Sequence, residues 1–220
     1  MAFPITHLLV AEGLLARNPR PDDEAAQFLL GALAPDAVHH REEFASAAMK
    51  NIGPIKKVVH LCPISDERWG AVTDNGGWVR CVKTWLQNNP GSLADGYAVH
   101  VLTDIYNNMT LWERFRTRHP AEAAKGYTSQ YYRDMSEIDL RLYLSYVQGG
   151  KIERLLKLAK PCDMPGLVSA KEIGTIRDNI LYENFKGRTP QDGYKYGFVT
   201  YDETLDFIAE AVESILRLQT

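Results

Sequence analysis

The sequence predicts an all-α fold, and three observations carry that reading. Apolar residues recur at helical spacing along most of the 220-residue chain. No pair of alternating runs marks a β-hairpin, and no strand–helix alternation marks a parallel sheet. Breakers and capping residues divide the chain into roughly seven to nine helices, the pattern of a multi-helix bundle. Hydrophobic residues make up 45% and charged residues 24%, enough of each for one domain over residues 1–220 with a full core. No internal repeat or low-complexity segment is present.

Residues 4–17 form the first predicted helix. Ile5, Leu8, Leu9, Glu12 and Leu15 have helical spacing, Pro4 fits in the first turn, and Asn18-Pro-Arg-Pro closes it. Asp22 and Asp23 stand where an N-cap belongs, before Ala25, Phe28, Leu29 and Leu33. That second helix stops near Ala34, because Pro35 disfavours helical geometry in the residue before it. Residues 35–66 read as a long, mostly irregular excursion holding Asp36, His39, His40 and His60, and such loops tend to be functional. Helix is expected from about 67 to 88 around Trp69, Trp78 and Trp85, interrupted by a turn at Asp74-Asn-Gly-Gly.

Asn88-Asn-Pro-Gly is a firm break, after which Ser92 and Asp95 resemble a capping box opening a helix to about Arg118. Tyr131 to Tyr146 repeats Tyr and Leu at helical spacing and ends at Gly149-Gly150. Lys151–Lys160 and Ala170–Phe185 are further amphipathic segments, and Tyr194–Val199 reads as a short extended piece. Thr200 with Glu203 forms another capping box, starting a C-terminal helix with a stripe of Leu205, Ile208, Val212, Ile215 and Leu216.

Charge and cysteine content narrow the function classes. A net charge of −3 supplies no general basic field, which argues against nucleic acid as an obligatory partner. Arg114, Arg116, Arg118 and His119 form a local basic patch whose ordinary reading is a solvated helix end near the C-terminal dipole. Cys62, Cys81 and Cys162 are odd in number and widely spaced, neither a disulfide framework nor a zinc finger. The first residues lack a basic region, a long apolar run and a small-residue cleavage site, and no apolar run approaches the roughly 20 residues that span a bilayer. These features point to a cytoplasmic protein with free thiols and no transmembrane segment.

The chemistry centres on Gly96–Trp112. His100 and Asp104, four residues apart on a helix, share one face with Leu93, Tyr97, Asn107 and Leu111, so both point where core residues point. Burying an imidazole and a carboxylate together is costly unless something satisfies both. A divalent metal does so, and so does a His–Asp hydrogen bond. Asp36 within Gly31-Ala-Leu-Ala-Pro-Asp, His60 at the end of Lys-Lys-Val-Val-His, and His7 on the apolar side of the first helix are the companions that favour a metal. A mixed nitrogen and oxygen set suits zinc at about 2.0–2.2 Å, with manganese or iron as alternatives.

Gly31-x-x-x-Pro-Asp36, His60 and Gly-Tyr-Ala-Val-His100-x-x-x-Asp104, after an early histidine, resemble the zinc-dependent phospholipase C superfamily, which includes the single-strand-specific zinc nucleases. The order matches over residues 1 to about 112. The resemblance implies an all-helical bundle in which metal ions cleave phosphoester bonds. It assigns Asp36, His60, His100 and Asp104 to one ion, and His7 with Asp104 to part of a second. The family places a further histidine six residues after the second aspartate and a ligand pair on a later helix. Here Thr110 holds the first position, and no histidine follows His119. The remaining site is then reduced, or rebuilt from Asp134, Glu137 and Asp139, whose ordinary reading is a solvated acidic face.

The expected activity is therefore phosphoester hydrolysis with one to two zinc ions, on a small phosphoester or phospholipid-like substrate. Asp36 is the candidate general base or water-orienting carboxylate, and Tyr97 a supporting residue one turn before His100. The competing reading is a degenerate relative that holds one metal or none and serves as a binding module. The His–Asp metallophosphohydrolase class needs an adjacent His-Asp dipeptide, which the chain lacks.

Overall fold

The computed structural model describes residues 3–41, 52–63 and 70–219. Among them are eleven α-helices and no strand beyond an isolated Met164–Val168 bridge. The helices are α1 (Pro4–Arg17), α2 (Asp22–Gly31), α3 (Ile52–Val59), α4 (Asn75–Asn88), α5 (Ser92–Met109), α6 (Leu111–Arg118), α7 (Pro120–Ala123), α8 (Gln130–Leu142), α9 (Lys151–Leu158), α10 (Ala170–Asp178) and α11 (Tyr201–Gln219). A 3-10 segment, Ala34–His40, follows α2, and single π-turns extend α8 and α10. No helix of the described residues is long and apolar enough to cross a membrane. Cys81 and Cys162 are exposed free thiols, and Cys62 is buried.

The architecture is organised around α5, which packs on α1, α2, α4 and α11. Its contact with α2 is the closest crossing. A methyl group on Gly96 would lie 1.9 Å from the Phe28 carbonyl oxygen, and one on Gly31 would lie 2.1 Å from that of Leu93. Only glycine permits backbones to approach so closely. The inward face of α5 then carries Leu93, Tyr97, His100, Asp104 and Asn107, and Leu111 continues it at the start of α6, every one of them buried. Polar side chains are thereby placed in the middle of the largest helix interface.

Several local expectations are corrected. The 35–66 stretch is not mostly irregular where it is described, since it supplies the 3-10 segment and α3; residues 42–51 and 64–66 lie outside the described residues, as does Trp69. Asp74-Asn-Gly-Gly does not interrupt a helix. It starts one, with the Asp74 carboxylate accepting from the Gly77 N–H. Asp22 and Asp23 lie inside α2, and Asp22 pairs with Arg154. Ser92 and Asp95 do not cap α5; both accept hydrogen bonds from Arg20, which ties the α1–α2 loop to that helix. The long helix breaks at Thr110, whose hydroxyl turns back to the Tyr106 carbonyl. The Thr200–Glu203 capping box forms as expected, although Phe207 and Ala211 share the buried stripe of α11.

The expected strand at 194–199 is instead an irregular segment gathered around one carboxylate. Asp134 accepts from the backbone N–H groups of Gly197, Phe198 and Val199 and from the Tyr194 hydroxyl. Three amides turned to a single acceptor cannot also form a sheet ladder. Arg114 pairs with Glu203 and Arg116 with Glu113, so the basic patch is largely neutralised.

Gly96→Ala should disrupt the α2–α5 crossing. Forcing a methyl group against backbone costs about 3 kcal/mol, and urea unfolding should show a loss of that size with an unchanged m-value.

Candidate metal centre

Five residues from four separate chain segments meet where α5 crosses α1, α2 and the end of α3. His7 comes from α1, Asp36 from the 3-10 segment, His60 from the residue after α3, and His100 and Asp104 from α5. Relative exposures are 1% or less for the three histidines and 2% for Asp104. Asp36, at 15%, is the member nearest solvent.

Two of the three rings, His60 and His100, are aimed by backbone carbonyls. His100 Nδ1 donates to the Ala32 carbonyl at 2.8 Å, across the glycine crossing. His60 Nδ1 donates to the Lys56 carbonyl at 3.0 Å. A carbonyl oxygen only accepts, so both Nδ1 atoms carry the proton and both Nε2 lone pairs face the cluster. The His60 backbone is pinned from below by Trp78, whose indole N–H donates to the His60 carbonyl at 2.7 Å. Tyr97 donates its hydroxyl to the Val59 carbonyl, and Trp85 packs on the Tyr97 ring. Tyr97, Trp78 and Trp85 are thus supports beneath the cluster. Behind Asp36, Arg41 fixes the departing chain through Glu172 and the Leu167 carbonyl.

The separations inside the cluster decide what it can hold. His60 Nε2 lies 3.5 Å from Asp104 Oδ2 and 3.7 Å from Asp36 Oδ1, His7 Nε2 lies 3.6 Å from Asp104 Oδ1, and His100 Nε2 lies 3.9 Å from Asp104 Oδ2. A charge-assisted N–H···O bond would be about 2.7–2.9 Å. Two ligands about 2.1 Å from a tetrahedral ion stand about 3.4 Å apart. The distances are those of ligands around an ion. Among the described residues no hydrogen bond reaches either nitrogen of His7 or Nε2 of His100, and such buried polar atoms are costly without a partner. The donor set therefore fits a divalent metal.

Two overlapping groups satisfy the geometry: His7, His100 and Asp104, and Asp36, His60 and His100. Both use His100, and its Nδ1 is committed to Ala32, so one nitrogen serves one ion. His7 with Asp104 Oδ1 remains as a partial second site. The groups contain no cysteine, and their nitrogen and oxygen donors are compatible with zinc, manganese or iron.

Electrostatics keep the donors in ligand form. Burial, reinforced by the neighbouring His100, lowers the His7 pKa to about 3, so its ring is neutral near pH 7. Burial likewise lowers His60. Burial alone would raise Asp36, but the Lys56 ammonium and hydrogen bonds from His39 and His60 hold its carboxyl well below the usual carboxylate range. Asp104 is also lowered, because the surrounding histidines outweigh its burial.

The carboxylates considered for a further site are engaged elsewhere. Asp134 gathers the 194–199 segment. Glu137 accepts from Arg141 and from the Gln191 N–H. Asp139 accepts from the Ile5 N–H at the start of α1, and burial pushes its carboxyl up to about 8 despite that bond. Asp134 and Asp139 are buried, so the solvated-face reading fails for them too.

Lys56 is the residue that sequence reasoning passed over. Its side chain is 1% exposed, and its Nζ lies 3.6 Å from Asp36 Oδ1. It stands four residues before His60 on one helix face, a signal available in Lys-Lys-Val-Val-His. His39 Nε2, 3.5 Å from the same oxygen, is the other neighbour.

Compared with family models, curated proteins and solved structures, the chain matches none of them.

Stability of the metal-free protein should depend on His7. Unfolded, it titrates near 6.5; folded, near 3. The unfolded chain binds the extra proton between those values, so stability present above 6.5 is lost as pH falls through the interval. The urea midpoint at pH 4.5 should lie on the order of 1 M below that at pH 7, and His7→Gln should flatten the difference.

Proposed function

We propose that the protein is a metal-dependent phosphoester hydrolase whose metal is held by Asp36, His60, His100 and Asp104, with His7 beside them. The convergence of five donors from four separate chain segments at ligand–ligand spacing carries the reading. The order Asp, His, His-x-x-x-Asp, which resembles the zinc-dependent phospholipase C superfamily, supports the reaction class.

A divalent ion bound there supplies Lewis acidity toward a phosphoryl oxygen and hydroxide near neutral pH. The chain's own residues do the rest. His60 and His100 present fixed Nε2 lone pairs because their Nδ1 protons are spent on backbone carbonyls. Asp104 spans the cluster, one oxygen toward His7 and the other toward His60 and His100. Asp36, at the more open edge, has a carboxyl held too low to be an efficient proton acceptor near neutrality. Its role is to ligate and to orient water rather than to store a proton. The buried Tyr97 and Trp78 limit bulk water on the inner side. A small phosphoester or phospholipid-like head group is the fitting substrate class.

The competing reading, a non-catalytic binding module, draws on Thr110, Asp134, Glu137 and Asp139 all being engaged in folding contacts, which leaves no third ligand set among the described residues. Turnover separates the two readings. Purified protein should contain close to one zinc, manganese or iron per chain by elemental analysis, and His100→Ala should lose it. With metal added, phosphodiester or phosphomonoester cleavage should fall by about a hundredfold or more in Asp104→Asn. Metal-free wild type, or metal content unchanged in His100→Ala, contradicts the metal centre. Metal without turnover leaves the binding module.

A further inference from the structure

Asp36 Oδ1 is approached by three groups, His39 Nε2 at 3.5 Å, Lys56 Nζ at 3.6 Å and His60 Nε2 at 3.7 Å. The three stand at nearly equal distances, so this oxygen is shared among them. Lys56 brings an ammonium beside the cluster and is 1% exposed. Among the described residues of the cluster, two carboxylates face one ammonium, an excess of negative charge that is receptive to a cation. One divalent ion reverses that sign, and the pocket then needs an anion. The cluster is most open at Asp36, the most exposed of the five donors, and the Lys56 Nζ lies 3.6 Å behind its Oδ1.

Resting on the metal-dependent reading above, we propose that Lys56 is an anion-binding residue whose ammonium pairs with Asp36 in the metal-free protein and passes to a phosphoryl oxygen once Asp36 engages the metal. A flexible four-carbon stem permits that short transfer, and a lysine ammonium recognises phosphate as a point charge. Metal binding and anion binding are thereby coupled through one carboxylate. Lys56 competes with the metal for Asp36 and cooperates with it toward phosphate.

This coupling has a signature that a structural lysine lacks: removing the charge moves two affinities in opposite directions. Zinc affinity of the apoprotein, and affinity of the zinc-loaded protein for inorganic phosphate, are measured by calorimetry for wild type, Lys56→Met and Lys56→Arg, with melting curves for each. Lys56→Met should bind zinc about tenfold more tightly and phosphate about tenfold more weakly. Lys56→Arg should keep phosphate binding within about threefold of wild type. If Lys56→Met fails to fold, Lys56→Gln carries the same comparison. Titration with phosphatidylcholine vesicles beside inorganic phosphate separates a lipid head group from a free phosphate, and loss of either in Lys56→Met supports the assignment. Wild type that binds no zinc overturns this proposal together with the hydrolase reading. Wild type that binds zinc and phosphate, with both affinities unchanged or both weakened in Lys56→Met, overturns the role of Lys56 alone.

Discussion

A carboxylate buried among three imidazoles is the interaction on which the structure turns. Asp104 is 2% exposed and faces His7, His60 and His100 at 3.5–3.9 Å, too far for strong hydrogen bonds and too near to ignore. Desolvating such a group is expensive. The usual remedy, a paired guanidinium or a ring of backbone amides, is what Asp134 receives from its three N–H groups and Glu172 from Arg41. Among the described residues Asp104 is faced by three imidazole rings at 3.5–3.9 Å. A cation among them resolves the cost, and this is why the cluster reads as a centre for a metal rather than as a misplaced polar core.

The α2–α5 crossing makes the cluster possible. Gly31 and Gly96 bring two backbones together so closely that the Ala32 carbonyl reaches His100 Nδ1. The same approach places Asp36, five residues past Gly31, opposite Asp104. A bulkier crossing would part the helices and leave His100 without its orienting acceptor. Fold and site therefore share one determinant. The supports under His60 act similarly, since Trp78 and Tyr97 hold successive backbone carbonyls at the end of α3.

Much of this was legible in the sequence because it rests on helical periodicity. The i, i+4 spacing of His100 and Asp104 within an apolar seam identified the inner face of α5, and His7, Asp36 and His60 lie beside that pair. Capping was less legible. Ser92 and Asp95 have the spacing of a capping box, but Arg20 claims both oxygens, a partner that is invisible without tertiary structure. Asp134 and Asp139 looked solvated, yet each satisfies amides that no strand or helix could serve. The end of the long helix at Thr110 depends on a hydroxyl turning back to the Tyr106 carbonyl, a choice that helix propensity does not encode. Lys56 was missed because a lysine within Lys-Lys-Val-Val reads as a surface residue, and only the packing of α3 turns one of the two inward.

The central claim, that the buried cluster is a nitrogen and oxygen metal centre, is tested most directly by X-ray absorption spectroscopy of zinc-loaded protein. The account predicts a shell of four nitrogen or oxygen neighbours at about 2.0–2.1 Å, with the outer-shell scattering of at least two imidazoles and no sulfur. A sulfur neighbour near about 2.3 Å, or a spectrum of loosely held hydrated zinc without imidazole scattering, would contradict it.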